Sequence, residues 1–315
     1  MNTEVSLLKL MVKGAYDLQA LRMQAGLRLC ANFRAKLKDA TPENGEPEDD
    51  NDLSEEALKI IDMLKDSYRR LTDGVAKNRT LPTEKGFTGD ELISTFTELT
   101  LVDQYKRLEE QEALHFRQMT ATLEKIPVYV SYLNQQRGIG PAMAGVLIAT
   151  LDPPKARYVS SFWAYAGLDV GSDGRGRSRR QEHLVERSYI DKNGKEAMRM
   201  GVTYNPWLKT KLFTLAGSFM RSASPWRQVY DGYKHRLQTD SVREKCTVGE
   251  YKKRHAAGED TTKIWTPGRI DMAAKRYMLK MFLADLWVHW RKLEGLPVTE
   301  TYQEAKLGHR HGKAA

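Results

Sequence analysis

The sequence predicts a mainly α protein: an elongated helical, coiled-coil-type N-terminal arm, then a compact helical domain built around a helix-hairpin-helix. Three observations predict it. Apolar residues recur at three- and four-residue steps along most of the chain, the period of a helix face. Proline follows Gly140, Ser224 and Thr266, each time where a first helical turn tolerates its missing N–H. Charged residues make up 29% against 41% hydrophobic, enough apolar content for a core clothed in long solvated helices.

The first helix is expected over residues 5–38. Leu18, Leu21, Ala25, Leu29, Phe33 and Leu37 form its stripe, flanked by Arg22, Arg28, Arg34, Lys36 and Lys38. Residues 39–54 are acidic, carry two prolines and have no apolar period, so a disordered linker is expected. A second helix over Glu55 to Thr72 places Leu58, Ile61, Leu64, Tyr68 and Leu71 on one face. After a loop over residues 73–87, Thr88 and Glu91 form a capping box for a helix running to about Lys125. Leu101, Tyr105, Leu108 and Met119 take near-heptad places there, interrupted by Glu112 and His115. A coiled coil between copies and a helical hairpin within one chain both satisfy that pattern. Residues 1–125 thus make the arm.

The domain expected over residues 126–237 opens on the segment RGIGPAMAGVL. Gly138-Ile139-Gly140 permits a tight bend, and Pro141 starts an apolar helix whose first amides are left bare, a cradle for phosphate. Arg137, Lys155 and Arg157 flank it as candidate phosphate contacts beside Gly138, Ile139 and Gly140. Residues 181–204 read as a β-like or irregular excursion turning at Asp191-Lys192-Asn193-Gly194. Helices follow from Pro206 to Ser222 and, with a serine cap, from Pro225. Residues 238–262 form a polar insertion, and residues 263–296 return to the same domain as a helix from Thr266-Pro267 to about Leu293. Its expected stripe is Ile270, Ala274, Tyr277, Met281 and Val288, and residues 297–315 are a flexible tail.

Charge is unevenly shared. Residues 1–125 hold 18 Lys and Arg against 23 Asp and Glu, and the remainder hold 32 against 18, a balance of +14. The basic part is also the part with the phosphate cradle, which favours a polyanionic partner. No apolar run of about 18 residues predicts a membrane span, and the opening MNTEVSLLKL lacks the plan of a secretory signal, so a cytoplasmic protein is expected. Cys30 and Cys246 stand too far apart for a CxxC knuckle.

From Ile126 to Trp290 the order of motifs resembles the C-terminal transposase domain of the insertion sequence 110 family, which includes bridge-RNA-guided transposases and Piv-type DNA invertases. The matching pieces are GIGP, an apolar helix, the acidic turn Asp152-Pro153-Pro154, the segment Ala164-Tyr165-Ala166-Gly167-Leu168, and a serine-glycine loop ahead of further helices. The resemblance implies DNA transposition or site-specific recombination by a serine nucleophile. Ser172 matches best, with Ser178 as its rival; neither precedes a glycine directly. Arg175, Arg177, Arg179 and Arg180 of the same loop would supply guanidinium forks for phosphate oxygens. The resemblance also implies DNA as partner, a structured guide RNA, a homo-oligomer formed through the N-terminal helices, and a bacterial or phage origin with a place at the nucleoid.

These residues hold no counterpart of the family's acidic ribonuclease-H-like domain, so a relative lacking it is expected. No cofactor is predicted, and Mg2+ enters only with an acidic domain supplied in trans. The acidic run Glu43 to Glu56 reads as a solvated segment, and His309-Arg310-His311 lacks further ligands, so no metal site is predicted. The aromatic set Trp163, Tyr165, Trp207, Trp226, Trp265, Trp287 and Trp290 reads as packing residues, one or two of them free to stack on bases. Activity as an enzyme depends on the loop serine. The competing expectation is a non-catalytic DNA- or RNA-binding regulator or architectural protein derived from a transposase.

Overall fold

The computed structural model describes residues 3–37, 53–72, 81–171, 173–261 and 263–299. The described chain is mainly α-helical with one two-stranded antiparallel sheet, as the helical periodicity predicts. It divides into two compact units, residues 9–120 and residues 1–8 together with 121–315. Most of the expected linker 39–54 and most of the tail 297–315 lie outside the described residues.

Residues 9–120 are built on α1 (Thr3–Leu37), α2 (Glu55–Thr72) and α3 (Phe96–Leu123). Leu29, Cys30 and Phe33 of α1 meet Ile60, Ile61 and Leu64 of α2 and Leu99, Val102 and Tyr105 of α3 in one core. Of the near-heptad residues, Tyr105 thus packs on helices of the same chain, while Leu101 is exposed. The expected stripe of α1 holds at Ala25, Leu29 and Phe33, which pack in the core, but Leu21 is 51% exposed, and Val12, Ala15 and Gly26 turn inward beside it. Gly26 is needed on that face because a Cβ there would come within 2.9 Å of Leu53 Cδ1 and 3.0 Å of Ile61 Cδ1. Glu112, which interrupts the seam of α3, faces Arg22, from the basic flank of α1. Their side chains meet at 2.5 Å, and Gln19 and the Tyr105 hydroxyl complete the layer.

The start of α3 corrects the expected capping box at Thr88 and Glu91. Asp90 instead accepts the N–H groups of Leu92 and Ile93 and the Ser67 hydroxyl, holding a loop. The reciprocal cap falls at Thr95 and Glu98: the Glu98 N–H donates to Thr95 Oγ1 and the Thr95 N–H to Glu98 Oε2.

The other unit runs α4 (Pro127–Ser131), α5 (Pro141–Thr150), α6 (Val159–Tyr165), a ribbon of β1 (Leu184–Ile190) and β2 (Glu196–Val202), α7 (Pro206–Arg221), α8 (Pro225–Thr239), α9 (Val248–Ala256) and α10 (Pro267–Leu293). Helix α10 is its axis, with α4, α6, α7 and α8 packed on it and α5 packed on α7. Because neighbours surround it, α10 buries a wider face than the expected stripe. Met278, Phe282, Leu286 and Trp290 are buried, and Tyr277, Met281 and Val288 only flank them. Phe219, Trp226 and Phe282 meet edge-on or tilted in the same core.

The excursion over 181–204 is a regular hairpin. Asp191 accepts the N–H groups of Asn193 and Lys195, and Gly194 takes φ +76°, which closes the turn. The polar insertion 238–262 contains α9, started by a capping box at Thr247 and Glu250 that went unread in the sequence. Ser224 precedes α8, but its hydroxyl makes no cap bond, correcting the expected serine cap. Cys30 and Cys246 are free thiols. Among the described residues no helix is long and apolar enough to cross a membrane.

Candidate nucleic-acid interface

The segment from Ala164 to Leu168 owes its form to what it positions. Helix α6 ends at Ala166, and Gly167 takes φ +65° against the Tyr204 ring, which a Cβ would approach to 2.6 Å. The Tyr165 carbonyl accepts the Asn205 N–H at 2.8 Å and its hydroxyl accepts Asn205 Nδ2 at 3.1 Å. Asn205 in turn caps α7 through Leu208 N. One turn of backbone thereby fixes where α7 begins, and with it Lys209.

After Leu168 the chain doubles back as a miniature hairpin. Arg177 N donates to Asp169 O, Gly171 N to Arg175 O, and Val170 bridges Gly176. Ser172 lies outside the described residues. Beneath this loop four cations gather around one carboxylate. Arg177 Nε reaches Asp169 Oδ2 at 3.0 Å. Lys209 Nζ donates to the Arg177 carbonyl and lies 4.6 Å from the Tyr204 ring centre. Arg276 and Lys280 stand one turn apart on α10. Lys280 lies 4.3 Å over the Trp163 ring, whose Nε1 donates to the Lys280 carbonyl. The Arg276 guanidinium fills the space under Gly176, where a Cβ would sit 2.3 Å from Nη1.

Burial first, and then the neighbouring Arg276, bring Lys209 down to about 8 against the pull of Asp169. Burial and Arg276 likewise lower Lys280, and burial lowers Arg276 itself. Among the described residues neither Arg276 nor Lys280 has a carboxylate at ion-pair distance, and Asp169 Oδ1 is buried without a hydrogen-bond partner. Half-buried cations in such excess make a well of positive potential that attracts an anion with several oxygens.

On the rim, Ser178 N and Ser178 Oγ approach His183 Nδ1 at 3.1 and 3.2 Å, and His183 Nε2 lies 3.2 Å from Asp173 Oδ1. Because Nδ1 accepts an amide proton, the ring's own proton sits on Nε2, toward Asp173. Burial works against the ionised Asp173, but the Arg175 N–H and the His183 ring outweigh it and hold the carboxyl below its usual range. His183 is 3% exposed. Among the described residues no three His, Cys, Asp or Glu side chains gather as a metal set.

The other sequence candidates lie elsewhere. Gly138 takes φ +97° and packs on Phe219 and Ser222, its carbonyl accepting the Ser218 hydroxyl at 2.7 Å. The Ile139 N–H is not bare, since it donates to the Gln136 carbonyl at 3.0 Å, while Arg137 and Gly140 are exposed. The helix before the bend is only the short α4 and a 3-10 turn over Leu133–Gln135. Lys155 pairs with Asp152 at 3.2 Å, and Arg157 lies over the Tyr158 ring, both exposed. Their turn is held by Trp287 and Arg291, whose side chains donate to the Ala156 and Pro153 carbonyls.

The bend thus sits at the C-terminal end of α7 and the turn at the C-terminal end of α10, whereas the well lies on Lys209 and Arg276. At 1.5 Å per residue these places are about 15–20 Å apart. Of the loop arginines, Arg177 points into the well, Arg180 lies 3.8 Å from Asp173, Arg175 is half-buried, and Arg179 turns out toward the ribbon. Sequence reasoning missed Lys209, Arg276, Lys280, Asp169 and His183. The spacing of Arg276 and Lys280 beside an apolar helix face was the available signal. Compared with models of known families, with curated proteins and with solved structures, the chain matches none.

Proposed function

We propose that the protein binds nucleic acid and acts in DNA transposition or site-specific recombination, seating a phosphodiester over Lys209, Arg276 and Lys280. The observation that carries the reading is the excess of four cations over one carboxylate beneath a glycine-arginine loop. Half-buried cations offer more to a phosphate than exposed ones, because solvent screens them less. The bend at Gly138 to Gly140, with Arg137, Lys155 and Arg157, then serves as a second contact along the same strand.

Ser178 is the nucleophile of this reading. Its Oγ attacks phosphorus and its proton passes to His183 Nδ1, while Asp173 steadies the imidazolium through Nε2. The bond to the leaving strand breaks, the released oxygen takes a proton from solvent, and the strand remains joined to serine. The cations of the well balance the charge that grows on the phosphorane oxygens. The test is a labelled strand incubated with the protein and resolved under denaturing conditions. A covalent adduct that survives Ser172→Ala and disappears in Ser178→Ala is expected.

One observation favours a non-catalytic binder. The Ser178 amide already occupies His183 Nδ1, so the ring also serves to hold the loop. In that reading Ser178→Ala binds as the wild type does and no adduct forms with either protein. Strand binding that does not weaken with salt would remove both readings.

A further inference from the structure

The pairing of β1 with β2, from Leu184 opposite Val202 to Ile190 opposite Glu196, sorts the ribbon into two faces. One holds Val185, Arg187 and Tyr189 opposite Gly201, Arg199 and Ala197. Both carboxylates of the strands, Glu186 and Glu196, fall on the other. Arg187 and Arg199 stand directly across from each other, a like-charge pair that weakens a ribbon. Among the described residues neither makes an ion pair. Arg199 lies 4.9 Å from the Tyr189 ring centre, and the Arg187 stem runs over Gly201, where a Cβ would meet its Cδ at 3.3 Å.

At the root of the ribbon a cleft of about 580 Å³ opens between Arg179, Arg187, Arg199, Met200 and Tyr204. Its remaining walls are apolar or glycine, and no carboxylate among the described residues lines it. Three guanidiniums and an apolar wall suit a ligand that is flat and greasy on one side and anionic on the other. The cleft adjoins the well. Tyr204 belongs to both, lying under Lys209 Nζ, and Arg179 follows Arg177 by two residues, at most about 7 Å of extended chain.

We propose that this cleft seats one unpaired nucleotide of the strand whose phosphodiester occupies the well, so that the substrate is an unpaired region and not a closed duplex. The base enters against the apolar walls of the cleft, Pro206 among them, and Arg187 and Arg199 take its phosphate. A base inside a duplex reaches such a cleft only after unstacking, whereas one in a single strand enters directly. The inference rests on the reading of the well as a phosphodiester site.

The full chain is titrated by fluorescence anisotropy with labelled thymidine and uridine strands of about twelve nucleotides and with a duplex of equal length. At least one single strand is expected to bind about tenfold tighter than the duplex, and the tighter strand names the source as DNA or RNA. Arg187→Gln with Arg199→Gln should erase that preference while leaving duplex binding in place. Both arginines are exposed, so the variant should melt no lower than the wild type. Lys209→Met should weaken all three probes. A duplex bound as tightly as both strands, or a preference that survives the double substitution, overturns the cleft and leaves the well standing. Loss of salt-dependent binding to every probe in the wild type overturns both.

Discussion

Lys209 carries its charge where burial and the Arg276 guanidinium both oppose it, and its ammonium is brought down to about 8. Two pH dependences of opposite sign follow. A phosphate in the well needs the protonated lysine, so strand affinity should fall as pH rises through about 8. Lys209→Arg, which keeps its charge, should flatten that fall. Stability moves the other way. Between about pH 8 and the usual lysine range near 10.4 the unfolded chain holds a proton that the folded chain has lost, so this group's contribution rises with pH there. Anisotropy titrations and urea midpoints at about pH 7 and pH 9 separate the two. Arg22 and Glu112 give a second residue-scale prediction. Glu112→Ala leaves a guanidinium in the core of residues 9–120 and should cost about 3 kcal/mol or more, read as a drop in the urea midpoint. Replacing both partners with apolar residues should recover most of it.

At the scale of elements, the turn at Gly167 holds the register of the whole site. Gly167→Ala must strain a left-handed residue and push Tyr204 aside, at roughly 2 kcal/mol, and should weaken strand binding because Asn205 and Lys209 move with Tyr204. The start of α3 makes a pH prediction. Burial works against the ionised Glu98, but Lys36, Asn32 and the N–H groups of Ser94 and Thr95 together hold it at about 2. Its stabilising effect is complete above the ordinary carboxyl range and lost as pH falls from about 4.5 toward 2, so Glu98→Gln should flatten the acid limb of an unfolding curve. Elements with local punctuation were legible. Helix α2 spans Glu55–Thr72 as its stripe implied, and Pro141, Pro206, Pro225 and Pro267 mark helix starts. The start of α3 was misread because Thr88-Glu91 and Thr95-Glu98 are equivalent patterns until Asp90 takes the intervening amides. The expected faces of α1 and α10 hold at Leu29, Phe33, Ile270 and Ala274 but were drawn too narrow, because neighbours on several sides choose a buried face by shape, which periodicity does not carry.

At the scale of the whole molecule, the basic balance of residues 126–315 resolves, within their unit, into separate stations. The loop arginines were legible as a group, and so was the glycine bend. That they sit at opposite ends of α7 was not, because the packing of α5 and α7 decides it. His183 was equally hidden, five residues from Ser178 and ten from Asp173 with no motif linking them. A strand touching both ends of α7 should therefore answer to two independent sets of charges. Changing Arg137, Lys155 and Arg157 together to Gln should reduce the slope of log affinity against log salt by about 2 on a long single strand. A strand of about three nucleotides, too short to reach from the well, should not register the change.

Gly176 leaves room for a guanidinium that belongs to another element. Because the Arg276 head lies within 2.3 Å of where a methyl group would stand, any side chain at 176 displaces a charge borne by α10 and not the loop itself. The flexible arm of arginine absorbs that displacement at small energetic expense. A single surface position thus adjusts where a deep charge stands without disturbing the helix that carries it. Variants there would retune grip strength in graded steps, alanine to valine to leucine, with melting temperature nearly constant along the series.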